Sequence, residues 1–174
     1  MRIYSKIYSK HIRIGDRINE SPKSIWQNPI HFIACGFGMG AMPLMPGTFG
    51  TLVAFPIYLL CYRLPLSLYI GIIIFCVSVG CWICAKTHSD FGATDHSAVV
   101  WDEISAFLIV MIEVPFTWRS LLIGFLLFRL LDIVKPFPIS WVDRSVYPPV
   151  GVMLDDIVAA FFAWIILKLI VLYF

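Results

Sequence analysis

The sequence predicts an all-α, multi-helix integral membrane bundle with polar active-site loops on one face. Composition points to the membrane: 60% of the 174 residues are hydrophobic and 14% are charged, and the mean hydropathy is +0.86. A soluble domain of this size needs more polar surface than that. The apolar run over residues 66–85 also matches the roughly 20 residues that a membrane-spanning helix requires.

The first 28 residues form a basic segment, which we separate from a membrane domain over residues 29–174. Because no uninterrupted apolar core follows the basic start, we do not expect a secretion signal. Basic residues beside the first apolar segment favour a cytoplasmic N-terminus and suit an anionic lipid surface. The basic residues are Arg2, Lys6, Lys10, Arg13, Arg17 and Lys23. The net charge of +2 is too small to suggest nucleic acid as a partner.

Apolar regions mark the expected helical segments. In chain order they are residues 29–43, 51–62, 66–85, 104–116, 121–134 and 157–174. The first is rich in glycine, which favours a half-helix or a re-entrant segment. The second is short and contains Pro56, and the last is interrupted only by Lys168, whose long side chain can reach an interface.

Polar residues collect in three connecting stretches, over residues 46–51, 86–103 and 135–156. Two apolar segments separate each stretch from the next, and two crossings return a chain to the side it left. All three stretches are therefore expected at one membrane face. Several apolar segments are too short for a hydrocarbon core of about 30 Å. They are expected either to penetrate partway or to surround a polar cavity that enters from the shared face.

Acidic residues are concentrated near the second and third polar stretches. Those in or beside the two stretches are Asp90, Asp95, Asp102, Glu103, Asp143, Asp155 and Asp156, and Asp132 lies just ahead of the third. Carboxylates brought together repel one another unless a cation neutralises them, and Mg²⁺ prefers oxygen ligands. The alternative is helix capping and ion pairing at membrane boundaries, especially for Asp155 and Asp156, which precede an apolar helix.

Cationic and hydroxyl side chains suggest a phosphate site. Arg129, Asp132 and Lys135 follow at spacings of three, which places them on one helical face. Arginine offers a phosphate dianion two parallel hydrogen bonds, and lysine offers a point charge. An internal ladder of ion pairs is the alternative. The Gly/Thr turn over residues 46–51 opens an apolar helix and is either an anion site or a plain helix cap.

His96 lies beside Asp95 and is a candidate acid for the leaving group or an orienting donor. A local hydrogen-bonding role is the alternative. Cys81 and Cys84 form a C-x-x-C inside an apolar run, where core packing is favoured over redox chemistry. The thiol-nucleophile and D-x-D-x-[TV] phosphatase motifs are absent from the sequence. Among the phosphatase chemistries, this leaves hydrolysis of a lipid phosphate at a metal ion held by carboxylates.

Six short motifs carry a family resemblance. They are Gly36-Phe37-Gly38; Pro46-Gly47-Thr48-Phe49-Gly50-Thr51; Asp95-His96 with Val100-Trp101-Asp102-Glu103; Phe128-Arg129-Leu130-Leu131-Asp132-Ile133-Val134-Lys135-Pro136-Phe137-Pro138-Ile139; Asp143-Arg144; and Gly151-Val152-Met153-Leu154-Asp155-Asp156. In this order and spacing they resemble the motifs of the phosphatidylglycerophosphatase A family. The resemblance runs from about Asn28 to the final helix.

The resemblance implies a phosphoric monoester hydrolase of bacterial phospholipid synthesis. The expected substrate is phosphatidylglycerol phosphate, whose terminal phosphate is removed to give phosphatidylglycerol, with Mg²⁺ as the cofactor. The expected location is the bacterial inner (cytoplasmic) membrane, with several crossings and with the N-terminus and active site on the cytoplasmic side. The expected partners are this lipid substrate and membrane lipids, and no nucleic acid.

The predicted site residues fall into three groups. The catalytic candidates are Asp102, Glu103, Asp95 and His96. The candidates for binding the substrate phosphate are Gly47, Thr48, Thr51, Arg129, Lys135 and Arg144. The candidate metal ligands are Asp102, Glu103, Asp132, Asp155 and Asp156. Direct attack by water is expected, and a route through an aspartyl-phosphate stays open.

A transporter or channel is the alternative function. Arg129, Asp132 and Glu113 would then line a polar pathway through the membrane. Transporters commonly contain paired internal repeats, and the sequence shows none. A structural scaffold is a weaker alternative, because it would not require clustered acids.

Overall fold

The computed structural model of the chain describes residues 23–92, 96–146 and 150–173, and for residues 150–152 it describes the helical backbone alone. These residues fold into seven α-helices and two short 3-10 turns, with no β-strand among them. The helices are α1 (Pro29–Ala34), α2 (Pro46–Cys61), α3 (Leu66–Phe91), α4 (Trp101–Val110), α5 (Trp118–Val134), α6 (Ile139–Ser145) and α7 (Val150–Tyr173). The all-α prediction is confirmed.

Two helices are long and apolar enough to cross a membrane within the described ranges, namely α3 and the part of α7 from Met153 to Tyr173. Both extend beyond the apolar runs that predicted them. Polar residues continue α3 to Phe91, and the helix ends at Gly92, whose positive φ of 69° suits the residue after a helix. Helix α7 begins before the predicted apolar run over residues 157–174, so Asp155 and Asp156 belong to the helix and not to a loop.

Helix α4 occupies the centre of the bundle and packs against α2, α3 and α7. Ile104, Ala106, Phe107 and Leu108 are completely buried, so α4 is covered on every side. Its 10 residues make a helix about 15 Å long, half of what a membrane core requires. The short apolar segment around residue 104 is therefore an interior helix that ends at Val110.

The stretch over residues 46–51 is helical, and its prediction as a turn was wrong. Pro46 occupies one of the first two positions of α2, where the missing N–H costs nothing because no helical partner exists there. The Thr51 hydroxyl donates a hydrogen bond of 2.8 Å to the Gly47 carbonyl, one turn earlier. Pro56 lies inside α2 without ending it. The polar side chains of this stretch are thereby fixed on a helix end.

The glycine-rich region after Pro29 forms a half-helix, as one of the two alternatives predicted. Helix α1 has six residues and is followed by turns in which Gly36 and Gly38 have positive φ. The five cysteines are free thiols, and Cys35, Cys76 and Cys84 are buried in the cores. This agrees with the packing role predicted for the C-x-x-C pair.

Candidate active site

A cavity of about 360 Å³ lies where the first turns of α2, α4 and α7 meet the last turn of α5. All three polar stretches contribute to its wall, which confirms their predicted convergence for the described residues. The polar and glycine side of the wall consists of Gly47, Thr48, Ser97, Asp102, Glu103, Arg129, Asp132, Lys135, Asp155 and Asp156. The rest is formed by Met45, Pro46, Val99 and Ile133.

Three acids form the most compact group in this wall. Asp102 and Glu103 lie in the first turn of α4 and Asp156 lies near the start of α7, and one carboxylate oxygen from each comes within 4.8 Å of the others. Asp102 is 4% exposed and Asp156 is 5% exposed. Glu103 Oε2 is buried and has no hydrogen-bond partner in the part of the chain that the structure describes. The group therefore brings three carboxylates together, with at least the Glu103 Oε2 oxygen unpartnered.

Burial is the main electrostatic influence on the two acids of α4, which lie outside the two candidate spans. It raises the pKa of Asp102, and the adjacent Glu103 raises it further. Burial also raises the pKa of Glu103, against the opposing effects of its hydrogen bond with Asp102 and of the Arg129 charge. A cation among these oxygens would favour their ionised forms. The donor set is the one that a hard divalent cation prefers.

Asp155 has a different partner from its neighbour Asp156. The Lys135 ammonium donates a hydrogen bond to Asp155 and another, of 2.7 Å, to Asp143 Oδ1 on α6. Burial opposes the charge of Lys135, but these two hydrogen bonds outweigh it and raise the pKa of Lys135 above its ordinary value. Because Lys135 is the C-cap residue of α5, it connects the ends of α5, α6 and α7.

Replacing Lys135 by methionine is expected to destabilise the protein, because Asp155, whose side chain is 5% exposed, loses its cation. We expect a loss of about 2 kcal/mol, below the range for a fully buried pair, since 32% of the Lys135 side chain is exposed. Thermal unfolding in detergent should show a Tm lower by about 4–8 °C.

Lys86→Met is the matched control, because Lys86 also pairs with a nearby acid, Asp90, but is 47% exposed. Its Tm is expected to change by a smaller amount. An unchanged Tm in Lys135→Met together with weaker substrate binding would contradict the connecting role and favour the predicted phosphate contact.

Arg129 lies between the acids and the beginning of α2. Its Nη1 is 2.7 Å from Asp132 Oδ2 and 3.9 Å from Glu103 Oε1. Its Nε is buried without a hydrogen-bond partner among the residues described. Asp132 therefore holds the guanidinium in place while part of its donor fork stays available. A phosphate oxygen is a suitable acceptor for such a fork.

The first turn of α2 packs directly against these charged groups. A Cβ atom added to Gly47 would lie 2.3 Å from Glu103 Oε1 and 2.9 Å from Arg129 Nη2, so no larger residue fits without moving them. The Thr48 hydroxyl is buried in the cavity wall, with no hydrogen-bond partner in the described ranges. Backbone N–H groups at a helix start attract anions. The amides of Thr48 and Phe49 already donate to the Met45 carbonyl, so the Thr48 hydroxyl and Arg129 are the groups here that can attract an anion.

Among the described residues, three of those predicted do not line the cavity. The Thr51 hydroxyl donates its hydrogen bond to the Gly47 carbonyl within α2. Arg144 is on α6, outside the cavity wall. His96 Nδ1 accepts a hydrogen bond from the Ala98 amide, and its ring packs against Phe91. Asp95 lies outside the described residues.

Ser97, Met45 and Ile133 line the cavity and were missed. Ser97 lies in the second polar stretch, a signal that would have allowed its inclusion. Met45 and Ile133 adjoin Pro46 and Asp132 in sequence, but apolar side chains gave no chemical reason to select them.

Comparison with known proteins identifies the family. The sequence model of phosphatidylglycerophosphatase A matches residues 32–171. A phosphatidylglycerophosphatase A of Escherichia coli strain K12 is 42% identical over 133 residues, which are 76% of this chain and 77% of the relative. A phosphatidylglycerophosphatase A of Haemophilus influenzae is 39% identical over 141 residues, which are 80% of this chain and 86% of the relative.

A third relative has a different name. A putative phosphatidylinositol-3-phosphatase of Bacteroides thetaiotaomicron is 34% identical over 143 residues, which are 78% of this chain and 89% of the relative. No solved structure gives a significant match. The family match covers the helices that form the cavity. This chain belongs to the phosphatidylglycerophosphatase A family.

Proposed function

We propose that this chain is a Mg²⁺-dependent phosphatase that removes the terminal phosphate of phosphatidylglycerol phosphate and releases phosphatidylglycerol. The observation that carries the proposal is the buried group of Asp102, Glu103 and Asp156 beside the Arg129 guanidinium in one cavity. The names of two relatives supply the substrate. The two membrane-capable helices suit an enzyme that acts on a lipid. We place it in the bacterial inner membrane with the cavity on the cytoplasmic side.

The cation is proposed to bind to Asp102, Glu103 and Asp156, with Asp132 near them on α5. The unpartnered Glu103 Oε2 and the buried carboxylates of Asp102 and Asp156 fit a hard cation better than they fit a site without one. A bound Mg²⁺ supplies charge neutralisation and polarises a phosphoryl oxygen. Asp155 lies outside this compact group: its Oδ2 accepts from Lys135, and its buried Oδ1 has no hydrogen-bond partner among the described residues.

The phosphate is proposed to bind between Arg129 and the start of α2. The partly unsatisfied guanidinium donates to phosphate oxygens, and the Thr48 hydroxyl adds a further donor. Asp132 fixes Arg129 by its 2.7 Å ion pair. These contacts hold the phosphorus against the acid group and cost no rearrangement during the reaction.

The reaction is a hydrolysis in which the bond between phosphorus and the glycerol oxygen breaks and water supplies the new oxygen on phosphorus. The attacking water gives up one proton and the departing glycerol oxygen takes up one, so the products are phosphate and the free glycerol hydroxyl of phosphatidylglycerol. Arg129 stabilises the negative charge that spreads over the phosphoryl oxygens.

Phosphate release by detergent-purified protein tests the proposal. We expect turnover of phosphatidylglycerol phosphate in Mg²⁺ and none in EDTA. Phosphatidylinositol 3-phosphate and phosphatidic acid should be offered in parallel, because one relative is named for an inositol lipid and both lipids carry a phosphomonoester. Absence of phosphatidylglycerol phosphate turnover by folded protein in Mg²⁺ would contradict the proposal, and faster turnover of another lipid would change the substrate.

A further inference from the structure

The catalytic cavity has one apolar part of its wall that reaches the surface of the protein. Met45 and Ile133 both line the cavity. Met45 is 61% exposed and Ile133 is 62% exposed, so each side chain lies partly on the outside. Each of these two apolar side chains therefore belongs both to the cavity wall and to the exposed surface.

Apolar side chains continue from this edge along α5. Leu122, Leu126 and Leu130 are 55%, 57% and 59% exposed. Together with Ile133 they recur at helical spacing and form a stripe on one side of the helix. By the helical rise, the stripe is about 16 Å long.

The stripe ends next to the proposed phosphate contact. Ile133 follows Arg129 by four residues, which places the two side chains side by side on α5. Arg129 is directed into the cavity and its side chain is only 13% exposed, whereas Ile133 is mostly exposed. A molecule with a phosphate at one end and a hydrocarbon chain at the other would match this change from cation to apolar surface.

We propose that Met45 and Ile133 form a lateral portal through which the phospholipid substrate enters from the membrane. Its phosphorylated headgroup lies in the cavity, and one acyl chain lies along the stripe formed by Leu122, Leu126, Leu130 and Ile133. This inference rests on the proposed function, because it places the hydrocarbon part of the same substrate. In this arrangement the enzyme binds both the acyl chain and the headgroup of the substrate. A substrate without acyl chains therefore lacks the contact with the stripe.

The proposal predicts a chain-length effect in a double variant, Met45→Ser with Ile133→Ser. The measured quantity is the ratio of kcat/KM for long-chain phosphatidylglycerol phosphate to kcat/KM for the same headgroup without acyl chains. Because serine removes most of the apolar contact at the portal, we expect this ratio to fall about tenfold. Leu172→Ser is the matched control, since Leu172 is also the penultimate residue of a helix and is 74% exposed, but does not line the cavity. Its ratio should equal that of the wild type.

Each result has a separate meaning. A wild-type enzyme that is active, with an unchanged ratio in the double variant, overturns the portal and leaves the proposed function intact. An equal loss on both substrates also overturns it, and a simultaneous change of oligomeric state would show that a second copy covers the stripe. If the wild type hydrolyses neither substrate, the proposed function fails, and a binding measurement decides the portal.

That measurement is photo-crosslinking, which needs no turnover and no folded double variant. A benzophenone amino acid replaces Ile133 in one sample and Leu172 in another, in phosphatidylcholine vesicles with a minor fraction of the phosphonate analogue of phosphatidylglycerol phosphate. We expect the analogue to be enriched several-fold over phosphatidylcholine in the products at position 133 relative to position 172. Equal enrichment at the two positions overturns the portal.

Discussion

Asp156→Asn is expected to lower kcat for the lipid phosphate by about a thousandfold or more, because it removes one charge from the three carboxylates proposed to hold the cation. Asp156 is 5% exposed, and one of its carboxylate oxygens lies within 4.8 Å of oxygens of Asp102 and Glu103. The measurement is phosphate release in saturating Mg²⁺ by purified variant and wild type.

Glu113→Gln is the matched control for this loss, because Glu113 is an acid whose side chain is 57% exposed and which lies outside the cavity. Its activity should stay within about twofold of the wild type. Thermal unfolding in EDTA tests whether the variant is folded. Because Asp156→Asn removes one of three like charges from the acid group, it relieves repulsion and its Tm should not fall. Nearly full activity in Asp156→Asn would contradict the proposed cation site.

Gly47→Ala is expected to lower kcat/KM by about a hundredfold, because even a small displacement of catalytic groups lowers the rate to this extent. The added Cβ would lie 2.3 Å from Glu103 Oε1 and 2.9 Å from Arg129 Nη2. Both groups must move to accept it, and both belong to the proposed site. Phosphate release under the same conditions measures the effect.

Gly71→Ala provides the comparison, since Gly71 is also helical and a Cβ there meets no atom within 4 Å. Alanine is the better helix former, so this variant should keep full activity and equal or higher stability. Equal activity in Gly47→Ala and Gly71→Ala would show that the beginning of α2 does not need its close approach to Glu103 and Arg129.

The sequence was sufficient for the helical class and for the residues that meet at the cavity. Two apolar segments between successive polar stretches predicted that Gly47, Asp102 and Asp156 share an end of the bundle, and all three line one cavity, although α4 is too short to cross a membrane. That inference needed only apolar run lengths and chain direction. It did not depend on any side-chain geometry.

Other features depended on packing that no local pattern encodes. The central position of α4 follows from contacts with other helices, so its length and the burial of most of its side chains could not be read from residues 104–116. The spacing of Arg129, Asp132 and Lys135 suggested one common face. The chain instead leaves the helix at Lys135, whose φ of 45° directs it to Asp143 and Asp155.

Cation binding by the acid group is measured by electron paramagnetic resonance of Mn²⁺ with detergent-purified protein. We expect bound Mn²⁺ in the wild type, its displacement by Mg²⁺, and its loss in Asp156→Asn, with binding retained in Glu113→Gln. Equal Mn²⁺ binding by the wild type and Asp156→Asn, or no binding by the wild type, would contradict a cation site formed by Asp102, Glu103 and Asp156.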